Sequence, residues 1–111
     1  PRTLFGQYDF HLGIDIPAPY GTPVYASQAG VVEYAEWHYS YGNFVVINHG
    51  GGVATLYAHN SSLNVSAGQQ VAQGDVIASV GATGTATGNH CHFEVRVNGA
   101  TQNPLNYVNQ P

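Results

Sequence analysis

Basic side chains are almost missing from the sequence. It has no lysine, and Arg2 and Arg96 are its only arginines. Against six acidic residues, they leave a net charge of −4 with the histidines neutral. Nucleic acids and anionic membrane surfaces are bound mainly through lysine and arginine, so this charge balance argues against both as partners.

Sulfur and long apolar runs are scarce as well. Cys91 is the only cysteine, so no disulfide can form within the chain, and cysteine usage does not indicate a cellular compartment. No apolar run approaches the ~18 residues that a membrane-spanning helix needs. We therefore expect no insertion into a membrane.

The length of 111 residues suits one domain, residues 1–111, with a core that needs no covalent staples. The chain begins abruptly at Pro1, and we expect it to be a domain excised from a longer chain or a processed form. We expect a monomer.

Fourteen glycines and six prolines separate short runs rich in Val, Ile, Tyr, Phe and Thr. This pattern is typical of strands and turns, and no segment holds a helical apolar stripe. The sequence therefore predicts an all-β sandwich or open barrel. Its predicted strands are 13–16, 22–26, 30–38, 43–49, 53–59, 70–72, 75–80 and 90–98.

Two stretches echo each other weakly. Gly21–Val24 leads to Gly30–Val32, and Gly68–Val71 leads to Gly74–Ile77. Each has an extended segment, a glycine-marked turn and a second apolar segment. The echo suggests an internal duplication.

The pattern with most chemical content is His90-Cys91-His92 in the last predicted strand. Alternation places His90 and His92 on one face and Cys91 on the other, where a small apolar side chain belongs. His11 and Asp15 lie near the N-terminus. Two imidazoles and a carboxylate make a zinc site that keeps a fourth position open, which is typical of catalytic zinc.

The spacing between His11 and Asp15 requires a bend. On a straight strand, four steps separate two side chains by roughly 13 Å, too far to share one ion. Gly13 is the residue best able to bend the backbone there. We expect His11 to come from a loop and Asp15 from the start of a strand.

Other candidates lie at element ends or in aromatic segments. His59 ends an apolar strand before a turn, a common place for reactive side chains. His38 and His49 are interpreted as structural, and Glu94 as a structural strand residue in preference to a support for the histidines. The segment Trp37–Tyr41 is expected to form a groove wall.

Taken together, these motifs resemble the lysostaphin-type (LytM-like) zinc peptidases, bacterial cell-wall endopeptidases that cut peptidoglycan stem peptides or cross-bridges. The resemblance runs from about Phe5 to Val108. The motifs that carry it are His11-Leu-Gly-Ile-Asp15, Tyr57-Ala-His59 and Gly88-Asn-His90-Cys-His92-Phe-Glu-Val95.

The resemblance implies an antiparallel two-sheet β fold with a groove floored by Zn²⁺. It implies that His11, Asp15 and His92 are the zinc ligands, and that His59 and His90 are catalytic without binding the metal. A zinc-activated water would then attack the scissile carbonyl of a peptidoglycan peptide. Such an enzyme would work outside the cell or at the cell wall, with a phage-borne lysin as an alternative source.

Three positions bear on the details. Gly6-Gln7-Tyr8 is similar to a stretch of the glycyl-glycine-cutting members, so Tyr8 is a candidate for stabilising the transition state, and small-residue bridges are the first expected substrate. Cys91 replaces the usual aliphatic residue. Asn89 stands where proline is common, which bears on the pose of His90.

Three other functions fit parts of the sequence. A catalytically silent peptidoglycan-binding or activator module of the same fold is the main alternative. A biotinyl or lipoyl carrier would fit the glycine and valine rhythm of residues 65–77, but it needs a lysine. A phosphocarrier with two histidines would not need Asp15 beside His11.

Overall fold

The computed structural model describes residues 14–84, 88–97 and 100–102, and every regular element in them is a β-strand. In this part of the chain, no helix has the length and apolar character to cross a bilayer. The strands are β1 (Ile14–Pro17), β2 (Pro23–Tyr25), β3 (Gly30–His38), β4 (Gly42–Gly50), β5 (Val53–Leu63), β6 (Gln70–Val71), β7 (Val76–Val80), β8 (His90–Val97) and β9 (Ala100–Gln102).

All strand pairs are antiparallel, in the order β1-β8-β5-β4-β3-β6, with β7 joining β2 to β5 and β9 lying beside β8. The all-β prediction is confirmed, and eight strands lie close to their predicted positions. The ninth, β9, was not predicted. A run of three residues next to a turn carries too little alternation to be recognised as a strand.

The long strand β5 joins what would otherwise be two sheets. Its first half pairs with β8, from Val53 opposite Val97 to Ala58 opposite His92. Its second half pairs with β7, from Asn60 opposite Val80 onwards. The prediction that the strand ends at His59 is therefore wrong. The chain changes partner there without leaving the sheet.

The two echoing stretches lie against each other in the fold. β2 pairs with β7, and β3 pairs with β6, so each strand of one stretch pairs with the opposite strand of the other. The turns between them are tied by hydrogen bonds in both directions between Ala26 and the segment Gly74–Asp75. This reciprocal pairing supports the predicted duplication.

Two apolar clusters cover the opposite faces of β4 and β5, and the larger one extends onto β8. The larger includes Ile47, Tyr57 and Phe93, and the smaller consists of Phe44, Val46, Leu56 and Ala58 with partly buried neighbours. Alternation along β8 puts Cys91, 7% exposed, in the larger cluster, as predicted. The face of β8 that bears its two histidines lies on the same side of the sheet as the smaller cluster, because Ala58 pairs with His92.

Candidate functional site

Strand register brings the predicted residues together. β8 lies between β1 and β5, with Asp15 opposite His92 on one side and Ala58 opposite His92 on the other. His59 follows Ala58 directly. Residues 77 positions apart in sequence, Asp15 and His92, thus become side-chain neighbours. His11 and Tyr8 lie outside the described residues.

His59 occupies an unusual backbone conformation at the point where β5 changes partner. Its φ is +66°, a left-handed value that costs a non-glycine residue about 1 kcal/mol or more. The backbone N–H of His59 donates to the Tyr41 carbonyl at 2.7 Å. This twist turns the imidazole out of the strand alternation and over the histidines of β8.

The orientation of the His59 ring is fixed by one hydrogen bond. Nδ1 lies 2.7 Å from the carbonyl oxygen of Thr83, and because a carbonyl only accepts, Nδ1 carries the proton. Nε2 of the neutral ring is then a free base. Burial lowers the pKa of His59, only partly offset by the Thr83 carbonyl, so the ring is neutral near pH 7.

Thr83 is held in place by close contact with strand β4. Its hydroxyl donates to the Asn60 carbonyl at 2.7 Å and accepts from the Asn43 N–H at 3.2 Å. Gly42, at φ +68°, allows this approach, because a Cβ there would lie 2.5 Å from the carbonyl carbon of Thr83. The loop that orients His59 is thus packed onto a glycine.

Asp15 lies between the two histidines of β8. Its Oδ1 is 2.7 Å from Nδ1 of His92 and 3.5 Å from Nε2 of His90. The His90 ring is held from behind, since its Nδ1 donates to the Gly88 carbonyl at 2.9 Å. The ring centroids of His59 and His90 are 5.1 Å apart.

Glu94 contacts a histidine of the site, so the preferred interpretation as a structural strand residue is wrong. Its side chain is 1% exposed, and Oε2 accepts from Nε2 of His92 at 2.9 Å. Arg96 donates to Oε1 from Nε at 3.0 Å and from Nη2 at 2.7 Å. The alternation that aligns His90, His92 and Glu94 was visible in the sequence, but the burial that makes Glu94 a partner was not.

The hydrogen bonds and opposite charges of this cluster shift the pKa values of His92 and Glu94 against the effect of burial. Burial alone would lower the pKa of His92, but its hydrogen bonds with Glu94 and Asp15 outweigh burial and raise it. Burial alone would raise the pKa of Glu94, but His92 and Arg96 outweigh burial and lower it. Glu94 is therefore an ionised, buried acceptor. A metal ion bound at Nδ1 of His92 would displace a proton.

An open cavity of about 430 Å³ lies over these groups, lined by His38, Tyr39, Ser40, Tyr41, His59, His92 and Glu94. The prediction of an aromatic wall is confirmed for Tyr39 and Tyr41. Trp37, 60% exposed, is not among the lining residues. His38 joins the wall by stacking on Tyr39, with Nδ1 accepting the backbone N–H groups of Ser40 and Tyr41. His38 thus takes part in the wall predicted for its segment, although it had been assigned a structural role.

His49 is structural, as predicted. Its Nδ1 donates to the Ala29 carbonyl at 2.8 Å, and its Nε2 lies 2.7 Å from the Thr55 hydroxyl. Both nitrogens are thus occupied by groups that tie β4 to its neighbours.

The described donors fit part of a zinc site. Among residues 14–84, 88–97 and 100–102, no three His, Cys, Asp or Glu side chains form a group that could hold a metal ion. Asp15 and His92 supply two donors of the right chemistry. Their 2.7 Å contact is shorter than the roughly 3.3 Å between two ligands bonded tetrahedrally to zinc at about 2 Å, so a small opening would admit an ion. A third donor must come from elsewhere.

Comparisons with known proteins by sequence and by structure agree with one another. A DD-carboxypeptidase/endopeptidase, Mpg, of Neisseria meningitidis serogroup B is 49% identical over 102 residues, which are 92% of this chain and 24% of that protein. The catalytic domain of the antimicrobial peptidase lysostaphin of Staphylococcus simulans matches with a TM-score of 0.83 and 33% identity, covering 87% of this chain and 77% of that one.

A zinc-containing peptidase of Vibrio cholerae matches with a TM-score of 0.79 and 42% identity, over 82% of this chain and 28% of that one. Of the Neisseria relative described above, the chain spans about a quarter of the length. The sequence model of Peptidase family M23 matches residues 9–104. On this match, which covers most of the chain, and on the shared fold, the protein belongs to Peptidase family M23.

Proposed function

We propose that this chain is the catalytic domain of a zinc-dependent endopeptidase that hydrolyses peptide bonds of bacterial peptidoglycan. The observation that carries the proposal is the convergence of Asp15, His59, His90 and His92, from three different strands, beside a cavity that His59 and His92 line. A silent binding module has no need of a free imidazole base held at a left-handed φ.

His11, Asp15 and His92 are the proposed zinc ligands. His92 offers Nδ1 because Nε2 is taken by Glu94, and Asp15 already faces that nitrogen. His11 is the proposed third ligand on the resemblance to the lysostaphin-type peptidases, and His90, whose Nε2 is 3.5 Å from Asp15, is the alternative that metal content decides. When bound, zinc supplies Lewis-acid chemistry, activating a water and polarising the scissile carbonyl.

His59 and His90 are the proposed proton carriers. Nε2 of His59 is unprotonated near neutrality and points from the wall of the cavity, so it can accept a proton from the attacking water. His90 lies beside His59, with ring centroids 5.1 Å apart, and once its Nε2 has taken up a proton it can hydrogen-bond the oxyanion or protonate the leaving amine. Tyr8 remains a candidate for the same oxyanion.

The substrate is a peptide of peptidoglycan. The relative named DD-carboxypeptidase/endopeptidase supports a bond flanked by D-amino acids, and the Gly6-Gln7-Tyr8 likeness favours a bridge of small residues. Both kinds of peptidoglycan bond lie outside the cytoplasm, so we propose that the domain acts in the cell wall or outside the cell.

The decisive experiment is a digest of defined muropeptides, one set cross-linked directly through D-alanine and one through glycine bridges, with fragments identified by mass. We expect that fragments are released from one of the two sets, that chelation stops this release, and that added Zn²⁺ restores it. Hydrolysis that continued after verified metal removal would overturn the zinc mechanism. Binding to purified walls without release of fragments would favour the silent module.

The ligand assignment has its own test. His11→Ala should lose bound zinc, whereas His59→Ala and His90→Ala should keep it and lose cleavage. Metal content by atomic emission separates these outcomes. If His90→Ala lost the metal and His11→Ala kept it, His90 would be the third ligand and the proposed division of roles would be wrong.

A further inference from the structure

Arg96 is the only arginine in the described part of the chain, and its side chain binds one buried carboxylate, that of Glu94. Its Nε and Nη2 both donate to Oε1 of Glu94, at 3.0 and 2.7 Å. Nη2 also donates to the hydroxyl of Tyr41 at 3.0 Å. The guanidinium is one-third exposed, whereas the carboxylate is 1% exposed.

Tyr41, in the turn between β3 and β4, reaches the same carboxylate. Its hydroxyl donates to Oε2 of Glu94 at 3.2 Å, and its ring stacks on His92 with centroids 6.3 Å apart and planes 22° apart. Tyr41 and Arg96 therefore hold both oxygens of Glu94. Neither residue touches Asp15 in any contact that the structure shows.

The held carboxylate decides which nitrogen of His92 is free. An ionised carboxylate only accepts hydrogen bonds, so Nε2 of His92, 2.9 Å from Oε2, must be the protonated nitrogen. In a neutral ring the lone pair then lies on Nδ1, the atom that faces Asp15 at 2.7 Å. The ring also cannot rotate without breaking a charge-assisted bond.

We propose that Arg96 and Tyr41 are positioning residues: by clamping Glu94 against Nε2 of His92, they present Nδ1 of His92 for metal binding. The inference rests on the proposed function, since it needs His92 to be a zinc ligand. Without the guanidinium, Glu94 loses two of its donors and can turn away from His92. Partners of this kind contribute about 10–100-fold to metal affinity.

Four variants test the clamp: Arg96→Met, Arg96→Lys, Tyr41→Phe and, as a matched control, Tyr34→Phe. Tyr34 is half-exposed and, like Tyr41, packs against Phe44. Among the contacts that the structure gives, it makes none with Glu94. The main readout is the dissociation constant for Zn²⁺, measured by competition with a chromophoric chelator. The absorption spectrum of the Co²⁺-substituted domain reports the ligand geometry independently of activity.

We expect Arg96→Met to weaken zinc binding by about 10–100-fold and to alter the Co²⁺ spectrum, with Arg96→Lys recovering part of the loss. Tyr41→Phe should weaken binding to a smaller extent, and Tyr34→Phe should leave it unchanged. Unchanged zinc affinity in both Arg96→Met and Tyr41→Phe would overturn the inference. If Arg96→Met did not fold, as judged by thermal unfolding of the metal-free protein, Tyr41→Phe would decide alone.

Failure of the clamp and failure of the proposed function are distinguishable. If the wild-type domain binds zinc and cleaves muropeptides while the variants match it, only the clamp is wrong. If the wild-type domain does not bind zinc, the proposed function is wrong and the clamp is wrong with it.

Discussion

The imidazole of His59 and the carbonyl of Thr83 form a 2.7 Å hydrogen bond that spans 24 residues of sequence. It fixes the ring so that Nε2 faces the cavity. Thr83 reaches this place only because its backbone lies against Gly42. The position of a proposed catalytic base therefore depends on a glycine one strand away.

Gly42→Ala should damage both stability and activity. The new Cβ would lie 2.5 Å from the backbone of Thr83, and the residue must also hold φ at +68°. Left-handed strain and overpacking together should cost about 3 kcal/mol, measured by urea unfolding. A displaced Thr83 frees the His59 ring, so we expect kcat to fall on the order of 100-fold.

Gly74→Ala is the matched control. Gly74 has φ +88° but no atom within 4 Å of its missing Cβ. It carries the strain without the clash, so it should lose about 1 kcal/mol and keep full activity. Equal losses of stability and activity in the two variants would show that Thr83 is not held by Gly42.

Removing the His59 side chain should separate chemistry from backbone strain. His59→Ala and His59→Gly should both lower kcat by about 10²–10⁴-fold, because both lack the base. His59→Gly should nevertheless be the more stable by about 1 kcal/mol, since glycine adopts φ +66° without strain. Chemical denaturation of the two variants measures the difference. An alanine variant as stable as the glycine variant would contradict the left-handed backbone at this residue.

The sequence was sufficient to predict eight of the nine strands in the described part of the chain and which residues of β8 share a face. Alternation along His90–Val97 determined which side chains face the cavity, and this holds for His92 and Glu94 on one face and Cys91 on the other. Such predictions succeed because strand geometry is local. Burial on both faces of β8 depends on distant parts of the chain, so the sequence favoured a structural role for Glu94 over its partnership with His92.

The supports of the site could not be predicted. These supports are contacts between residues far apart in sequence, made by Tyr41, Thr83 and Arg96. The sequence around each of the three is like that of any turn or strand end. His59 was expected to precede a turn, whereas β5 runs on to Leu63. The left-handed step at His59 is imposed by the change of partner strand, which no local pattern encodes.

Cys91 provides a test of which face holds the metal. The thiol lies in the apolar cluster with Phe93, and burial raises its pKa to about 12. A folded domain should therefore react only slowly with a disulfide reagent, and the rate should rise on unfolding. Cys91→Ala should bind the same amount of zinc as the wild type. Loss of the metal in this variant would make the thiol a ligand and contradict the assignment.

Tyr57 should make the fold sensitive to alkali. Its hydroxyl accepts from the Ser27 N–H at 3.0 Å and lies 2.8 Å from the Thr55 hydroxyl. Burial is the main cause of its raised pKa, so the folded state favours the neutral phenol. The unfolded chain, with a tyrosine pKa of about 10, loses its proton first. The stability that Tyr57 contributes is complete below pH 10 and is lost as pH rises towards the folded pKa.

Tyr57→Phe should expose this contribution. At pH 8 it should be less stable than the wild type by about 1 kcal/mol, because the Ser27 N–H loses its acceptor. Between pH 9 and 11 the wild type should lose more stability than the variant, so the gap between their urea unfolding curves should narrow. A gap that stayed constant over this range would mean that Tyr57 ionises equally readily in both states. The phenol would then not be the buried, neutral group that joins β5 to the loop before β3.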